Sequence, residues 1–514
     1  MKTKQLFFCS LTGLALLATS CSSNDEALNG GDGTTSEGNT YAQIAISVAN
    51  SATTRALEGA TGDEAYGENA EYTVNDLTVV LANENDIAMQ VITPTLKTVS
   101  DKDEADRQIR VTEPFKCTPG KYKVYVLANY KNSQDALTPI IKGSTDMKAE
   151  FGITNIAKLS TTDKFFMTNA SAPTAQEIDK DATGKEVDDA GTEITDGKTN
   201  LNLLKVDVER AVSKVTFDNT DNQSFNVMVG GNKIATATLE GASLINLNKK
   251  MYLVKEGTLA TNSPVTTNDW PYPKDPNYDQ TSIGKDYCEN FEQRIATEFP
   301  VPSKAKFYCP ENTMEASAQL NGQTTGVVYK VKYVPEGKYY TELAENGTDS
   351  YSKMFKEVLG LTDKDAAITN TIFTTAEGTD GTFYSYNGYV FKTKAGARLY
   401  KAIATNTDGL AASVNTAFQG NENDPDIQTY SEGYCYYTAW IKHNPTSEKY
   451  MDQDKYGVVR NFWYELKVNN IKKLGYSKPT YKNPTDPDDK AEAAIQVQVN
   501  IKKWRVVKQN LDLE

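Results

Sequence analysis

Two short stretches near opposite ends of the chain constrain its fold most. Ile44, Ile46 and Val48 alternate with Gln43, Ala45 and Ser47, and Ile495, Val497, Val499 and Ile501 alternate with Gln496, Gln498 and Asn500. A period of two places every aliphatic side chain of a strand on one face. Each stretch therefore reads as a strand whose apolar face must be covered. Between them, short Val-, Ile- and Tyr-rich runs at 74–81, 121–129, 149–156, 203–217, 234–246, 250–255, 304–309, 326–334, 383–393 and 433–443 are separated by Asp, Asn, Gly and Lys turns, the pattern of strands joined by polar loops. No 3.6-residue apolar stripe outlasts a few turns except at 350–359, and long parallel-sheet signatures are absent. The fold class expected is all-β, built from antiparallel sandwiches.

The 514 residues exceed one ordinary domain, and two are expected. Residues 56–204 form the first sandwich, with a polar, acidic excursion at 170–200, and residues 205–478 form the second, with the boundary near residue 205. In 479–514, Pro479, Pro484 and Pro487 with Asp486, Asp488 and Asp489 make a spacer that cannot join a sheet, followed by the Ile495–Ile501 strand. A terminal strand on such an arm can reach a neighbour.

The N-terminus has Lys2 and Lys4, an apolar run at 6–17, then Ala18, Thr19 and Ser20 before Cys21. This is a lipoprotein signal peptide occupying 1–21, with Cys21 as the lipidated (palmitate-bearing) residue. The run is too short to span a bilayer, and no later segment approaches the roughly 20 apolar residues a membrane helix needs. Residues 22–40 are Ser, Asn, Gly, Asp and Glu and read as a flexible tether. Residues 41–55 comprise the first strand and the start of an exposed loop that carries one basic residue, Arg55, before Ala56. Loops of this kind are where proteases cut.

Several functions are disfavoured. A net charge of −14 and a pI near 4.9 argue against nucleic acid and anionic lipid as electrostatic partners. His443 is the sole histidine, no G-x-S-x-G elbow appears, and no catalytic residue, cofactor or metal site is expected. With Cys9 removed and Cys21 lipidated, Cys117, Cys288, Cys309 and Cys435 remain; export permits pairing without fixing it. Asp179 to Gly184 resembles the start of a calcium loop, but Ala190 at its twelfth position cannot supply the bidentate carboxylate. The main alternative is a surface lipoprotein that binds glycan through its 29 tyrosines and Trp270, Trp440, Trp463 and Trp504.

A set of motifs carries a resemblance. Besides Cys21 and Ala52-Thr53-Thr54-Arg55-Ala56, it includes Val124-Tyr125-Val126-Leu127-Ala128-Asn129 and Val208-Glu209-Arg210-Ala211-Val212-Ser213-Lys214. It continues through Tyr436-Tyr437-Thr438-Ala439-Trp440, Val459-Arg460-Asn461, Ile471-Lys472-Lys473-Leu474-Gly475 and the closing residues 504–514. In this order the chain resembles the fimbrillins of Bacteroidales type V pili, and among them the shaft subunit of the minor fimbrium. The resemblance implies two transthyretin-like β-sandwich domains in tandem and export as a lipidated outer-membrane precursor. It also implies that an arginine-specific, trypsin-like protease cuts the Arg55–Ala56 bond and the strand of Ile44, Ile46 and Val48 leaves. The strand of Ile495, Val497, Val499 and Ile501 from another copy then fills the groove. The partners implied are further copies of the chain and accessory anchor and tip subunits, in a fibre serving adhesion and biofilm formation. An anchor or tip role within the same pilus is the alternative.

Overall fold

The computed structural model describes residues 40–48, 64–97, 109–187, 198–218, 223–256, 272–281, 288–289, 299, 305–336, 380–445, 447–479, 483–490 and 494–505. The expected signal peptide with Cys21, the expected tether up to residue 39, and the Arg55–Ala56 bond lie outside these residues, as do the apolar stripe expected at 350–359 and Trp270.

The N-terminal half is organised by one nine-stranded sheet. Its main path runs Ala88–Ile92, Leu77–Ala82, Gly120–Ala128, Met167–Asn169, Asn202–Arg210, Thr40–Val48 and Ile109–Val111, with Ala175–Ile178 also pairing Gly120–Ala128 and Phe115–Cys117 also pairing Thr40–Val48. Val124, Tyr125, Val126 and Leu127 are consecutively buried on the central strand, as a strand covered on both faces requires. The acidic excursion expected at 170–200 thus contributes the Ala175–Ile178 strand and a small ladder of Glu186–Val187 on Lys198–Thr199.

The C-terminal half has two sheets. One runs Glu64–Tyr66, Ile495–Arg505, Phe462–Ile471, Val212–Phe217, Phe307–Pro310; the other runs Ser224–Val229, Asn232–Ile245, Gly326–Pro335, Tyr434–Trp440. They pack face to face, with the Phe217 ring edge-on to Tyr329 at 6.0 Å between centroids. Between Gly326–Pro335 and Tyr434–Trp440 the chain makes a small lobe. A three-stranded sheet of Phe383–Tyr386, Tyr389–Phe391 and Gln428–Tyr430 lies with the helices Lys394–Thr405 and Ala411–Gly420, around Phe391, Leu399, Tyr400 and Val414. The first helix starts where Thr393 Oγ1 accepts from Gly396 N at 3.0 Å, an N-cap.

Three expectations are corrected. The nine-stranded and five-stranded sheets are mixed rather than antiparallel, while the four-stranded sheet is antiparallel throughout. Thr40–Val48 runs parallel to Asn202–Arg210, Val212–Phe217 parallel to Phe462–Ile471, and Glu64–Tyr66 parallel to Ile495–Arg505, because in each case the chain returns to the sheet only after a long excursion through other strands. The passage between halves falls at Ala211 rather than near residue 205. The expected run at 203–217 is two strands, Asn202–Arg210 completing the first sheet and Val212–Phe217 opening the next, while Glu64–Tyr66 crosses over to the C-terminal half. Finally, the runs at 149–156 and 250–255 contribute only Phe151–Gly152 and Lys250–Met251, which pair with each other across the halves.

The halves share one apolar core. Phe165 meets Tyr308 edge-on at 4.9 Å, Lys214 Nζ lies 2.7 Å from Glu71 Oε1, and Lys255 Nζ lies 2.8 Å from Glu209 Oε2. Arg460 donates to the Tyr252 and Leu253 carbonyls at 2.8 and 3.2 Å and pairs with Glu311. Glu71, Glu209, Lys214 and Arg460 are all buried, so loss of one partner would strand a charge in the core, a change costing about 3–5 kcal/mol. The Glu209-Arg210-Ala211-Val212-Ser213-Lys214 motif is therefore the seam between halves.

Candidate functional site: an interior slot and a terminal strand

The first strand, Thr40–Val48, lies inside the sheet. Its 42–48 stretch pairs in parallel with 202–208, and its other edge pairs with Ile109–Val111 and Phe115–Cys117. The sequence alternation survives intact: Thr40, Ala42, Ile44, Ile46 and Val48 are buried, and the residues between them are half-buried. Between the two short partners, Thr112 continues the contact: its N–H donates to Ile44 O at 3.0 Å, and its Oγ1 accepts from Ile44 N at 3.2 Å. The outward side chains are also engaged. Gln43 Nε2 donates to Thr112 O at 2.8 Å, and Ser47 Oγ donates to Asp207 Oδ1 at 2.7 Å. Taking this strand away would leave a slot lined by apolar side chains with unsatisfied ladder groups on both walls, a state no compact protein leaves open.

A clasp holds the start of the strand. Thr40 Oγ1 donates to Asp179 O at 2.6 Å, and Tyr41 N donates to Ala182 O at 3.2 Å. Asn202 Nδ2 reaches Tyr41 O and Asp179 O, each at 3.0 Å, while its Oδ1 accepts from Asp179 N at 2.8 Å. Gly184, at φ +72°, lies so close under the Tyr41 ring that a Cβ would fall 2.8 Å from it, which glycine alone tolerates. The Asp179–Gly184 segment, whose composition resembles a calcium loop, is thus in contact with the first strand. Among the described residues no group of three or more His, Cys, Asp or Glu is placed to hold a metal.

The last strand, Ile495–Arg505, folds back on its own subunit. It lies antiparallel to Phe462–Ile471, with Ile501 opposite Tyr464, Val499 opposite Leu466, Val497 opposite Val468 and Ile495 opposite Ile471. Val499 and Ile501 are buried, Ile495 and Val497 half-buried, and Gln496 and Gln498 exposed. Among the described residues its second edge is paired at Lys503–Arg505 alone, by Glu64–Tyr66. Sequence alternation found both strands and their inward faces. It missed Thr112, Asn202 and Asp488, whose roles come from contacts far along the chain. Charged residues inside the apolar run 206–215 were the one visible sign of the buried seam.

The remaining candidates are structural. Cys117 and Cys435 are buried thiols, pushed up by burial to about 11 and about 12, which suppresses thiolate chemistry; the Cys288 side chain lies outside the description. Trp440 is buried at the end of its strand, and Trp463 has the Lys214 ammonium 3.8 Å from its ring centroid. His443 is enclosed by Tyr272, Phe462 and Tyr464.

Residues 42–205, running from the first strand to its parallel partner, match the family model described as major fimbrial subunit protein (FimA). Residues 428–510, ending with the last strand, match the C-terminal fimbrillin model of the major fimbrial subunit protein type IV. Both matched models describe the fimbrillin family. That is a family of fimbrial structural subunits and not of enzymes. Solved structures similar to this chain include a fimbrilin from Porphyromonas gingivalis, with 14% identity, 92% of this chain and 99% of that one covered, and a TM-score of 0.39. A proposed cell adhesion protein from Parabacteroides distasonis has 13% identity, coverage of 91% and 99%, and a TM-score of 0.41. A C-terminally truncated tip fimbrial protein from P. gingivalis has 13% identity, coverage of 91% and 100%, and a TM-score of 0.30. No curated protein matches the sequence.

Proposed function

We propose that this chain is the shaft subunit of a cell-surface pilus that polymerises by strand exchange and serves adhesion and biofilm formation. It is exported as a lipoprotein held at the outer membrane through Cys21, and a trypsin-like protease cuts after Arg55. The Thr40–Val48 strand then leaves with the lipidated peptide, and the Ile495–Ile501 strand of another copy takes its place. Each half is read as a transthyretin-like sandwich, and the partners are further copies with accessory anchor and tip subunits. The matched family descriptions speak of major fimbrial subunits, so placement in a minor fimbrium rests on the motif resemblance alone.

The observation that carries the reading is the placement of Thr40–Val48: an interior strand, paired on both edges, only seven residues before Arg55. Before cleavage the chain's own strand occupies the slot at very high effective concentration, and no second chain competes. After cleavage the opened edges are a hazard until filled, and β-strand addition supplies both the ladder and the apolar contacts. Three or four buried Ile or Val side chains at about 1.5–3 kcal/mol each make the filled slot long-lived. Lipidation ahead of the cut keeps precursors at the membrane until they are processed.

The test is the intact mass and N-terminal sequence of protein sheared from native cells, resolved on an unboiled gel, for the native chain and for Arg55→Ala. The native chain should begin at Ala56 within a high-mass ladder, and R55A should remain a lipidated monomer. A native chain that is lipidated at Cys21 and monomeric would overturn the proposal and favour an anchor or glycan-binding role.

A further inference from the structure

The Pro- and Asp-rich segment that the sequence presents as a loose arm is fastened to the C-terminal half. Gly322 N donates to Pro484 O at 2.8 Å, Asn321 N to Asp486 O at 2.9 Å, and Asp488 N to Gln319 O at 3.1 Å. The backbones approach so closely that a Cβ on Gly322 would fall 2.8 Å from Pro484 Cβ. Asp488 is buried and accepts a hydrogen bond from Thr324 Oγ1; burial pushes its carboxyl well above the usual carboxylate range. Next to it, Asp489 faces water more and is held by Lys455 Nζ at 2.8 Å and by Tyr456 OH at 2.8 Å. Burial opposes its ionised form, but Lys455 and the hydrogen bonds outweigh it and keep the carboxyl below its ordinary value. One segment is thus tied at once to residues 319–324 and to residues 451–456. An arm built to swing away would not bury a carboxyl against its own body.

We infer that Pro484–Lys490 stays on its own subunit when the last strand is donated, so that the donated unit begins after Lys490 and a second copy of this chain docks against this corner of the C-terminal half. The inference rests on the strand-exchange reading and specifies its geometry. Only residues 491–494 separate the staple from Ile495, and four extended residues span at most about 14 Å. Release of the whole stretch 479–494 would instead span roughly 55 Å and give widely spaced subunits. The short reach brings the mouth of the neighbour's slot onto the face beside the staple, where Tyr450 is 62% exposed. An aromatic ring in that position suits a contact between subunits.

Two deletions of equal size separate the alternatives. Removal of Glu492 and Ala493, downstream of the staple, should abolish the high-mass ladder after cleavage. Removal of Thr480 and Tyr481, upstream of it, should leave the ladder as in the unmodified chain. Hydrogen exchange provides the folding control and a second readout. The amides of Asn321 and Gly322 should be protected in the free subunit, in both deletion variants and in the fibre. A downstream deletion that polymerises normally, an upstream deletion that abolishes the ladder, or loss of protection at Asn321 and Gly322 in the fibre overturns the inference. If the cleaved, unmodified chain forms no ladder, strand exchange itself falls and this geometry falls with it. A ladder from the unmodified chain together with any of the preceding results overturns the staple alone.

Discussion

The first and last strands share an alternating pattern and differ in almost everything the pattern leaves open. Thr40–Val48 is laddered on both edges, and Ile44 and Ile46 are 0% and 1% exposed. Among the described residues, Ile495–Arg505 is laddered along one edge and for three residues of the other, and the best covered of its described side chains, Val499 and Ile501, are 7% and 8% exposed. A strand of the second kind moved into the site of the first would gain a second ladder and deeper burial, while one moved the other way would lose both. Under the proposed strand exchange, this asymmetry would supply a downhill direction without any outside energy source. It would also give the proposed cut a role, since the better-placed strand would yield only once its covalent link to the body is gone.

The largest expected effect breaks or confirms that asymmetry directly. Ile46→Ala should destabilise the uncut subunit by about 3 kcal/mol, the range for truncating a fully buried aliphatic side chain. Ile495→Ala, at a half-buried edge position, should cost about 1 kcal/mol. Urea midpoints at constant slope measure both, and equal costs would mean that the two strands are held alike.

A second effect sharpens the comparison by acting beneath only one strand. Tyr464, which faces Ile501 across the ladder, lies 2.7 Å through its OH from His443 Nδ1 and accepts from Val459 N at 2.8 Å. The ring nitrogen and the phenol thus share one hydrogen bond inside the core. Burial, with Lys255 adding to it, pushes the His443 pKa down to about 3. The unfolded chain takes up the proton below about 6.5 and the folded chain does not, so this stabilising contribution is complete above that pH and is lost as pH falls toward 3. At pH 5 the loss should be about 2 kcal/mol. The difference in stability between the native chain and His443→Gln should narrow between pH 7 and pH 5. A pH-independent difference would mean that His443 is not held neutral.

How much of this was legible in the sequence follows from which interactions are local. Alternation is local, so Ile44, Ile46, Val48, Ile495, Val497, Val499 and Ile501 could be assigned inward faces without any knowledge of their partners. The position of a strand within a sheet is not local. Nothing in residues 40–48 indicates that 202–208 will lie parallel on one edge and 109–117 on the other, and the same lack of information turned a mixed sheet into an expected antiparallel one. Helix Lys394–Thr405 was missed because the run 383–393 reads as a strand and Gly396, only three residues after the cap, weakens the helical signal. The spacer misled for a different reason. Proline excludes a segment from a ladder but does not free it from the body, and Asp488 is buried by Thr324 and Gln319, more than 160 residues earlier.

The smallest expected effect concerns the clasp. Asn202 fixes the start of the first strand by accepting from Asp179 N and donating to Tyr41 O and Asp179 O, and the last strand has no equivalent at Ile495 among the described residues. Because Asn202 is only half-buried, water replaces part of what Asn202→Ala removes, and the cost should be about 1 kcal/mol. Its location is more informative than its size. Hydrogen exchange at Tyr41 and Ala42 should accelerate in N202A while exchange at Val497–Ile501 stays as it was, since the two strands sit in different sheets. Cleaved N202A should also release its N-terminal peptide faster than the cleaved native chain, because local opening would begin at the end that the clasp holds. Unchanged release with accelerated exchange would place the limiting step at the other end of the strand, where Ser47 holds Asp207 and Val48 pairs with Val208.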